Sequence, residues 1–222
     1  KYRESEAILK SINKKALPSN LLPNYYISYR EFFEHYAANS YNEEYRQQIA
    51  KYGDSLLMVL KPNTLDYQIN RITQDIFLKK YVNTEKQLKA LLKVTKEENP
   101  QYAMITYLLA KIYEATDNLE LRKIYYALSA TSDLKNANKD NASLQELASV
   151  FYEIGDVDMA YKLTQSAIED ALYCNVQFRT LLMSEVYSII NTVYLKKQAN
   201  RKTEFHVYFL LICLFSLFFF VC

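Results

Sequence analysis

Apolar residues recur at intervals of three and four along most of the chain, with polar and charged residues between them. This spacing places the apolar side chains on one face of an α-helix, so it predicts a series of amphipathic helices of ~12–20 residues. The short turns between them, of ~2–8 residues, predict antiparallel neighbours. The predicted helices are Tyr2–Ile12, Leu21–Ala38, Tyr41–Leu60, Leu65–Lys80, Thr84–Glu97, Tyr102–Thr116, Leu119–Asn138, one from a cap at Asn141 or Ser143 to about Ile154, Val157–Leu172 and Val176–Lys197.

The clearest internal unit covers residues 143–169, SLQELASVFYEIGDVDMAYKLTQSAIE. This sequence fits a tetratricopeptide repeat when Gly155 is counted as position 15. Ala148 and Ala160 then occupy positions at which small side chains let the two helices of a hairpin approach closely. Phe151 fills the space between the helices, and Gly155 belongs to the turn. The stretch therefore predicts one helical hairpin of this repeat type.

A weaker copy begins at residues 104–118, MITYLLAKIYEATDN. Its first helix fits the repeat, but Arg122 and Ser129 stand where alanine is usual, and its turn residue Asp117 lies 38 residues before Gly155 instead of the usual ~34. The opening KYRESEAILKSI resembles a second helix entered in the middle of a repeat. We therefore predict an all-α solenoid of degenerate tetratricopeptide-like hairpins, with a generic helical bundle of similar spacing as the alternative.

The C-terminal segment Phe205–Cys222, FHVYFLLICLFSLFFFVC, contains no Asp, Glu, Lys or Arg. As a helix it would extend about 27 Å at ~1.5 Å per residue, close to the ~30 Å hydrocarbon core of a bilayer. A core helix covered by protein on all sides is the alternative. The segment predicts a transmembrane helix, and together with the start at Lys1 it suggests the middle piece of a longer membrane protein.

Composition supports the helical interpretation and excludes some classes of function. Only 2 glycines and 4 prolines occur among 222 residues, too few for the frequent turns of an all-β protein. The 27 basic and 25 acidic residues nearly balance, so this chain is not expected to bind nucleic acid directly.

Catalytic chemistry is not indicated by any motif. His35 and His206 are the only histidines, and the sequence has no catalytic triad, zinc-protease motif or phosphate-binding glycine loop. Cys174, Cys213 and Cys222 form neither a disulfide framework nor a metal motif. We therefore expect no enzyme activity, no cofactor and no metal.

Two stretches carry a family resemblance: ASLQELASVFYEIGDVDMAYKLTQSAIEDALYCN (Ala142–Asn175) and FRTLLMSEVYSIINTVYLKKQ (Phe178–Gln198). LPSNLLPNYYISYREFF (Leu17–Phe33) and YGDSLLMVLKPNTLDYQI (Tyr52–Ile69) are similar too. The chain resembles the membrane-tethered tetratricopeptide regulators of Gram-negative bacteria, related to the starch-utilisation regulator type. The resemblance implies a periplasmic repeat domain, an inner-membrane helix and, outside this sequence, a signal peptide and a cytoplasmic helix-turn-helix region.

The basic residues before the apolar segment bear on its orientation. Lys196, Lys197, Arg201 and Lys202 favour a cytoplasmic N-terminal side under the positive-inside rule. That rule compares both flanks, and only one flank is in this sequence. We therefore follow the resemblance and expect a periplasmic repeat domain, with a cytoplasmic one as the alternative.

Stacked hairpins present a concave face formed by the first helix of each pair, and this face is where we expect binding. Tyrosine together with Gln, Ser and Lys is able to stack on and hydrogen-bond a protein segment, a peptide or a sugar-type ligand. The alternative is that these side chains are ordinary exposed residues. The candidate binding residues are Met104, Tyr107, Lys111, Glu114, Gln145, Ser149, Tyr152 and Glu153.

The sequence thus predicts a repeat domain over 1–198, a basic juxtamembrane segment over 199–204 and a transmembrane helix over 205–222 that contacts membrane lipid. The favoured function is a membrane-anchored sensor belonging to a transcriptional regulator. The alternatives are a tail-anchored adaptor that binds a partner protein and a scaffold that forms a homo-oligomer. We expect the helix of residues 176–197 to continue into the membrane helix, so that a shift in repeat packing would move it.

Overall fold

The computed structural model describes residues 2–39, 43–139, 142–174 and 177–221, with the side chains of these residues except at 2, 38–39, 177–185 and 218–221. Within those ranges the regular structure is entirely helical, with short 3-10 turns at Lys14–Ala16 and Ser19–Leu21 and no strand. The prediction of an all-α fold is confirmed. The helices are α1 (Tyr2–Ser11), α2 (Leu22–Asn39), α3 (Glu43–Val59), α4 (Leu65–Phe77), α5 (Tyr81–Val94), α6 (Gln101–Ala115), α7 (Leu119–Lys135), α8 (Ala142–Glu153), α9 (Val157–Tyr173) and α10 (Gln177–Val221).

Helix starts agree well with the polar caps in the sequence. The side chains of Thr64, Asn118 and Asp156 accept hydrogen bonds from backbone N–H groups in the first turns of α4, α7 and α9, at 3.1–3.2 Å. Such caps satisfy donors that the helix itself leaves without partners. The predicted starts at Tyr41, Asn141 and Val176 lie outside the described residues.

Two predicted boundaries are wrong. Ser143 is not a cap, because it lies inside α8 and is only 2% exposed. Helix α5 begins and ends three residues earlier than predicted, at Tyr81 and Val94. The reason lies in the preceding turn, where Lys79 adopts a positive φ of 60° and ends α4 at Phe77.

The chain divides into two compact units, and the first comprises residues 1–91. Its main contact is the antiparallel pair α2–α3, to which α4 and α1 add smaller contacts. Ile49, Leu56 and Ile72 are almost fully buried. Aromatic rings fill the space between α2 and α3, with Tyr29 stacked on Tyr52 at a centroid distance of 4.6 Å.

One close approach in this unit depends on glycine. Gln74 of α4 is 6% exposed and reaches across α3, where its amide donates to the backbone oxygen of Ala50 and to Oδ1 of Asp54, both at 3.1 Å. A Cβ atom on Gly53 would lie 2.2 Å from Oε1 of Gln74. The absence of a side chain at Gly53 therefore lets the glutamine pass.

The second unit comprises residues 92–222, in which consecutive helices pack in sequence from α6 to α10. Ala148 and Ala160, the small residues of the predicted hairpin, are 1% and 0% exposed. Gly155 occupies the predicted turn with a φ of 82°. The hairpin α8–α9 therefore has the predicted form. A core cluster between α6, α7, α8 and α9 contains Ala110, Tyr126, Ala130, Leu144, Leu147, Val150, Ala167 and Ala171.

Helix α10 runs without interruption from Gln177 to Val221, 45 residues or about 67 Å. One helix therefore runs through the predicted boundaries after residues 198 and 204, which stay predictions, as does the membrane-spanning character of its second half. The predicted membrane segment Phe205–Cys222 ends outside the described side chains. Across the residues that are described, no helix has the length and apolar character needed to cross a membrane.

Candidate binding surface

The candidate residues of α6 share one face of the helix, because their spacings of three and four residues return to the same side. Met104 is 48% exposed. Tyr107 is partly buried, with its ring centroid 5.7 Å from that of Tyr126 in α7. Lys111 and Glu114 follow on the same face and pair with each other at 2.8 Å.

Lys111 and Glu114 belong to a half-buried polar cluster rather than to an open surface. Nζ of Lys111 also lies 3.9 Å from Oε1 of Glu146 in α8. The hydroxyl of Tyr126 donates a short hydrogen bond to Oε2 of Glu114. Each of the two carboxylates in this cluster thus faces the same ammonium group, and α6, α7 and α8 meet there.

The environment moves the acid strengths of the two carboxylates in opposite directions. Burial raises the pKa of Glu146 above its ordinary value, and the nearby Glu114 adds to this against the opposing charges of Lys111 and Arg122. Burial also tends to raise the pKa of Glu114. The hydrogen bonds from Lys111 and Tyr126 outweigh it and hold that pKa below its usual range.

Sequence reasoning did not select Glu146 as a site residue. A signal was present, since this carboxylate stands between Leu144 and Leu147, both of which are core residues. A charge beside apolar core positions is expensive to bury unless it has an opposite charge nearby. The partner, Lys111, is 35 residues away in sequence, and therefore only the tertiary structure identifies the pair.

The candidate residues of α8 do not form a single group. The hydroxyl of Ser149 donates to the backbone oxygen of Gln145 at 3.3 Å, within the helix. Gln145 lines a small depression with Ala148, Thr164 of α9 and Val186 of α10. Tyr152 is 37% exposed, further along α8.

Glu153, the last candidate, forms a close ion pair with Arg122 of α7. The side chain of Arg122 is only 16% exposed, and this pair connects α7 to the end of α8. The structure therefore groups Lys111 with Glu114 and connects this pair to α8 through Glu146. Binding by the predicted set of eight residues stays a prediction.

Tyrosine pairs elsewhere in the chain serve packing. Tyr25 and Tyr26 contact each other within the aromatic cluster of α2 and α3, at a centroid distance of 5.4 Å. Tyr125 stacks on Tyr113 at 5.4 Å, between α7 and α6. Among the residues that the structure describes, no group of three or more His, Cys, Asp or Glu side chains is placed to hold a metal ion.

The paired helices and their repeat spacing agree with a comparison to known families. The family described as the SusR N-terminal TPR domain matches residues 1–185. The chain belongs to this family. No curated protein matches the chain in a search of individual sequences. Repeats of this tetratricopeptide type generally mediate protein interactions, so the TPR domain is an interaction module built from helical hairpins.

Two departures of the TPR domain from the usual repeat pattern have structural explanations. Arg122 replaces a small residue in α7 and is used for the ion pair with Glu153. Ser129 replaces a second small residue and donates a hydrogen bond of 2.8 Å to the backbone oxygen of Ala103 in α6. Both substitutions add polar contacts between helices, where alanine would provide only close packing.

The last repeat hairpin is joined to α10 by an aromatic stack and a charge cluster. The rings of Tyr161 in α9 and Tyr194 in α10 are parallel within 3°, with centroids 4.0 Å apart. One turn earlier in α9, the carboxylate of Asp158 accepts from Lys197 at 2.9 Å and from Arg201 at 2.8 Å. The bond from Lys197, with that from Arg201, lowers the pKa of Asp158.

Proposed function

We propose that this chain is the sensing and interaction part of a membrane-anchored transcriptional regulator, with a helix-turn-helix output region outside this sequence. The observation that carries the proposal is the direct contact between the last repeat hairpin and α10, through Tyr161–Tyr194 and Asp158. Because α10 then continues as one uninterrupted helix, a change in hairpin packing would shift its far end. Membership of the SusR TPR family supports the same function.

The C-terminal part of α10 supports anchoring in the bacterial inner membrane through residues 205–222. Over residues 205–217, whose side chains the structure describes, apolar groups lie on every side of the helix and most of them are exposed, uncovered by the repeat helices. Burial of such a helix requires lipid or another protein. The side chains that are more than half exposed are Phe205, Val207, Tyr208, Phe209, Leu210, Leu211, Ile212, Leu214, Phe215 and Leu217.

The proposed orientation places the TPR domain in the periplasm. Lys197 and Arg201 are two of the four basic residues that would favour the cytoplasm, and both are paired with Asp158. Their charge is therefore partly balanced within the domain, which weakens the positive-inside argument against this orientation.

For the ligand, we propose a protein or peptide segment that contacts the candidate residues of α6 and α8, which we call the α6–α8 face, with a sugar-type ligand as the alternative. Met104 and Tyr152 are the most exposed apolar candidates on this face and the best contact points. A photo-crosslinking amino acid at either position, in cells, should capture the partner. The same amino acid at Ile124 of α7, which is 46% exposed, is the matched control and should not capture it.

Topology is tested with the full-length natural protein in intact cells and in spheroplasts. Membrane anchoring predicts that the protein stays in the membrane fraction after a carbonate wash. A periplasmic repeat domain predicts cleavage by external protease in spheroplasts but not in intact cells. Protection of the domain in spheroplasts would favour the tail-anchored adaptor instead.

Regulation is tested by transcript profiles. Deletion of the gene should change a defined set of transcripts, and Tyr161→Ala should change the same set because it removes the stack with Tyr194. Ser166→Ala, at an exposed position of α9, is the matched control and should leave transcripts unchanged. A deletion strain with an unaltered transcript profile would rule out the regulator function.

A further inference from the structure

The basic end of α10, which we define as Lys196, Lys197, Arg201 and Lys202, lies immediately before the apolar part of the helix. Helices α9 and α10 are antiparallel, because Asp158 contacts Arg201 whereas Tyr161, further along α9, contacts Tyr194. The first turn of α9 is therefore at the end of the repeat unit from which the apolar segment emerges.

The spacing along α10 brings these charges within side-chain reach of lipid headgroups. Arg201 lies four residues before Phe205, about 6 Å along the axis, and Lys197 lies about 12 Å before it. The polar zone of a bilayer is roughly 5–8 Å thick on each side of the hydrocarbon core. Long basic side chains direct their charged heads towards this zone.

The charges at this end are mainly positive. Lys196, Arg201 and Lys202 are exposed, and the acidic residues in reach of the basic end are Asp158 and Glu204. Asp156, in the neighbouring turn, already accepts the backbone N–H of Met159 at 3.1 Å. The arrangement is complementary to an anionic surface, and it continues directly into the apolar helix.

We propose that the basic end of α10 is a docking surface for anionic lipid headgroups, which compete with Asp158 for Lys197 and Arg201. This inference rests on the membrane anchoring in the proposed function and adds a lipid dependence to it. The Asp158 pairs are partly exposed, with 51% of the Arg201 side chain accessible. Exposed ion pairs and single basic residues at acidic membranes are stabilised by similarly small amounts, so an acidic bilayer is able to displace the carboxylate.

The competition makes the attachment of α10 to the last repeat hairpin sensitive to the bilayer. On a neutral surface Asp158 holds both basic residues, and α10 is fastened to α9 by charge and by the tyrosine stack. On an acidic surface the headgroup phosphates take the basic side chains, and the ring contacts of Tyr161 with Tyr187 and Tyr194 remain to hold the two helices together.

A zero-length carbodiimide reaction on the full chain measures the pairing without any label. The reagent activates a carboxylate, and the amide forms with an amine in direct contact as the reagent leaves as a urea. Asp158 and Lys197, at 2.9 Å, should couple in phosphatidylcholine vesicles, as read by mass spectrometry. In vesicles that also contain phosphatidylglycerol, the yield should fall about threefold or more. The internal control is the Lys139–Asp170 pair, at 3.5 Å, whose yield should not change.

Variants and flotation separate the possible outcomes. Arg201→Gln should reduce the lipid effect, whereas Arg46→Gln, the same charge change at an exposed site in α3, should not. If the protein floats with both vesicle types but the Asp158–Lys197 yield does not change, the lipid competition is overturned and the membrane anchoring stands. Failure to float with either type would overturn the anchoring itself. If soluble glycerol phosphate, added to neutral vesicles, lowers the Asp158–Lys197 yield as much as phosphatidylglycerol does, the site binds anions in general. That result would overturn the proposed lipid surface.

Discussion

The hydroxyl groups of Ser129 in α7 and Ser143 in α8 lie 2.6 Å apart in a fully buried position. Ser129 also donates to the backbone oxygen of Ala103 in α6 at 2.8 Å. Since a serine hydroxyl has one hydrogen, Ser143 is the donor in the contact between the two serines. The resulting chain of hydrogen bonds connects three consecutive helices through the core of the second unit.

Removing the central hydroxyl should be costly. Ser129→Ala leaves the Ser143 hydroxyl buried without its acceptor and removes one hydrogen bond from the Ala103 carbonyl, which still accepts from Thr106, so we expect a loss of about 1–3 kcal/mol in unfolding free energy. Ser143→Ala should cost about 1 kcal/mol in the wild type and close to nothing in the Ser129→Ala background. Denaturant unfolding in mild detergent measures both, with exposed Ser166→Ala as the control. Additive losses would contradict the shared hydrogen bond.

Gly53→Ala should destabilise the first unit although alanine is the better helix former. The new methyl group displaces Gln74 and with it the hydrogen bonds to Ala50 and Asp54, for a net loss of about 1 kcal/mol after the gain in helix propensity. In a Gln74→Ala background the same change should instead stabilise, by about 0.5–1 kcal/mol. The double-mutant cycle is read from denaturant midpoints, and the same sign in both backgrounds would disprove the interaction.

The hairpin α8–α9 should tolerate no added volume at its closest approach. Replacing Ala148 or Ala160 with Leu should cost about 1–3 kcal/mol, because both positions are fully buried between the two helices. Thermal unfolding followed by circular dichroism checks this. Ala90→Leu, at an exposed position of α5, supplies the matched control. An unchanged melting temperature in the buried variants would mean that the repeat register is wrong.

The two carboxylates near Lys111 should respond oppositely to neutralisation. Because the folded pKa of Glu146 is raised, folding opposes its ionisation, and Glu146→Gln should stabilise the protein at neutral pH. That gain should disappear as pH falls through the raised pKa, since wild-type Glu146 then becomes neutral too.

Glu114→Gln should instead destabilise at neutral pH, because the folded pKa of Glu114 is lowered. Its penalty should shrink as pH falls below about 4.3, the ordinary carboxyl value, through the lowered pKa. Unfolding free energies of both variants across this pH range provide the measurement. Equal signs at neutral pH would contradict the described environment of the cluster.

Helix ends illustrate how far the fold was predictable from sequence. The turn after α8 was found because Gly155 readily adopts a positive φ. The same C-terminal geometry, with a backbone bond spanning six residues, follows α4, α6 and α7 at Lys79, Asp117 and Ala137. Of these only Asp117 was recognised, from its repeat position. Lysine and alanine carry no local signal for this conformation, and for that reason α4 and α7 end earlier than predicted.

The candidate surface was predictable in part. Helical spacing was sufficient to place Met104, Lys111 and Glu114 on one face of α6. It did not identify Glu146 or the role of Arg122, because their partners come from other helices and are 31–35 residues away in sequence. The departures from the repeat pattern at Arg122 and Ser129 were visible, but their contacts were not.

The sequence by itself determined the all-helical hairpins, the TPR family, the positions of the closest helix contacts and the apolar character of the C-terminal segment. These features follow from local spacing and side-chain size, which are properties of the sequence itself. Only the tertiary structure decided that Asp158 holds Lys197 and Arg201, that Tyr161 stacks on Tyr194 and that a lysine lies between two glutamates. Such contacts join separate helices, and their geometry depends on how the helices pack against each other.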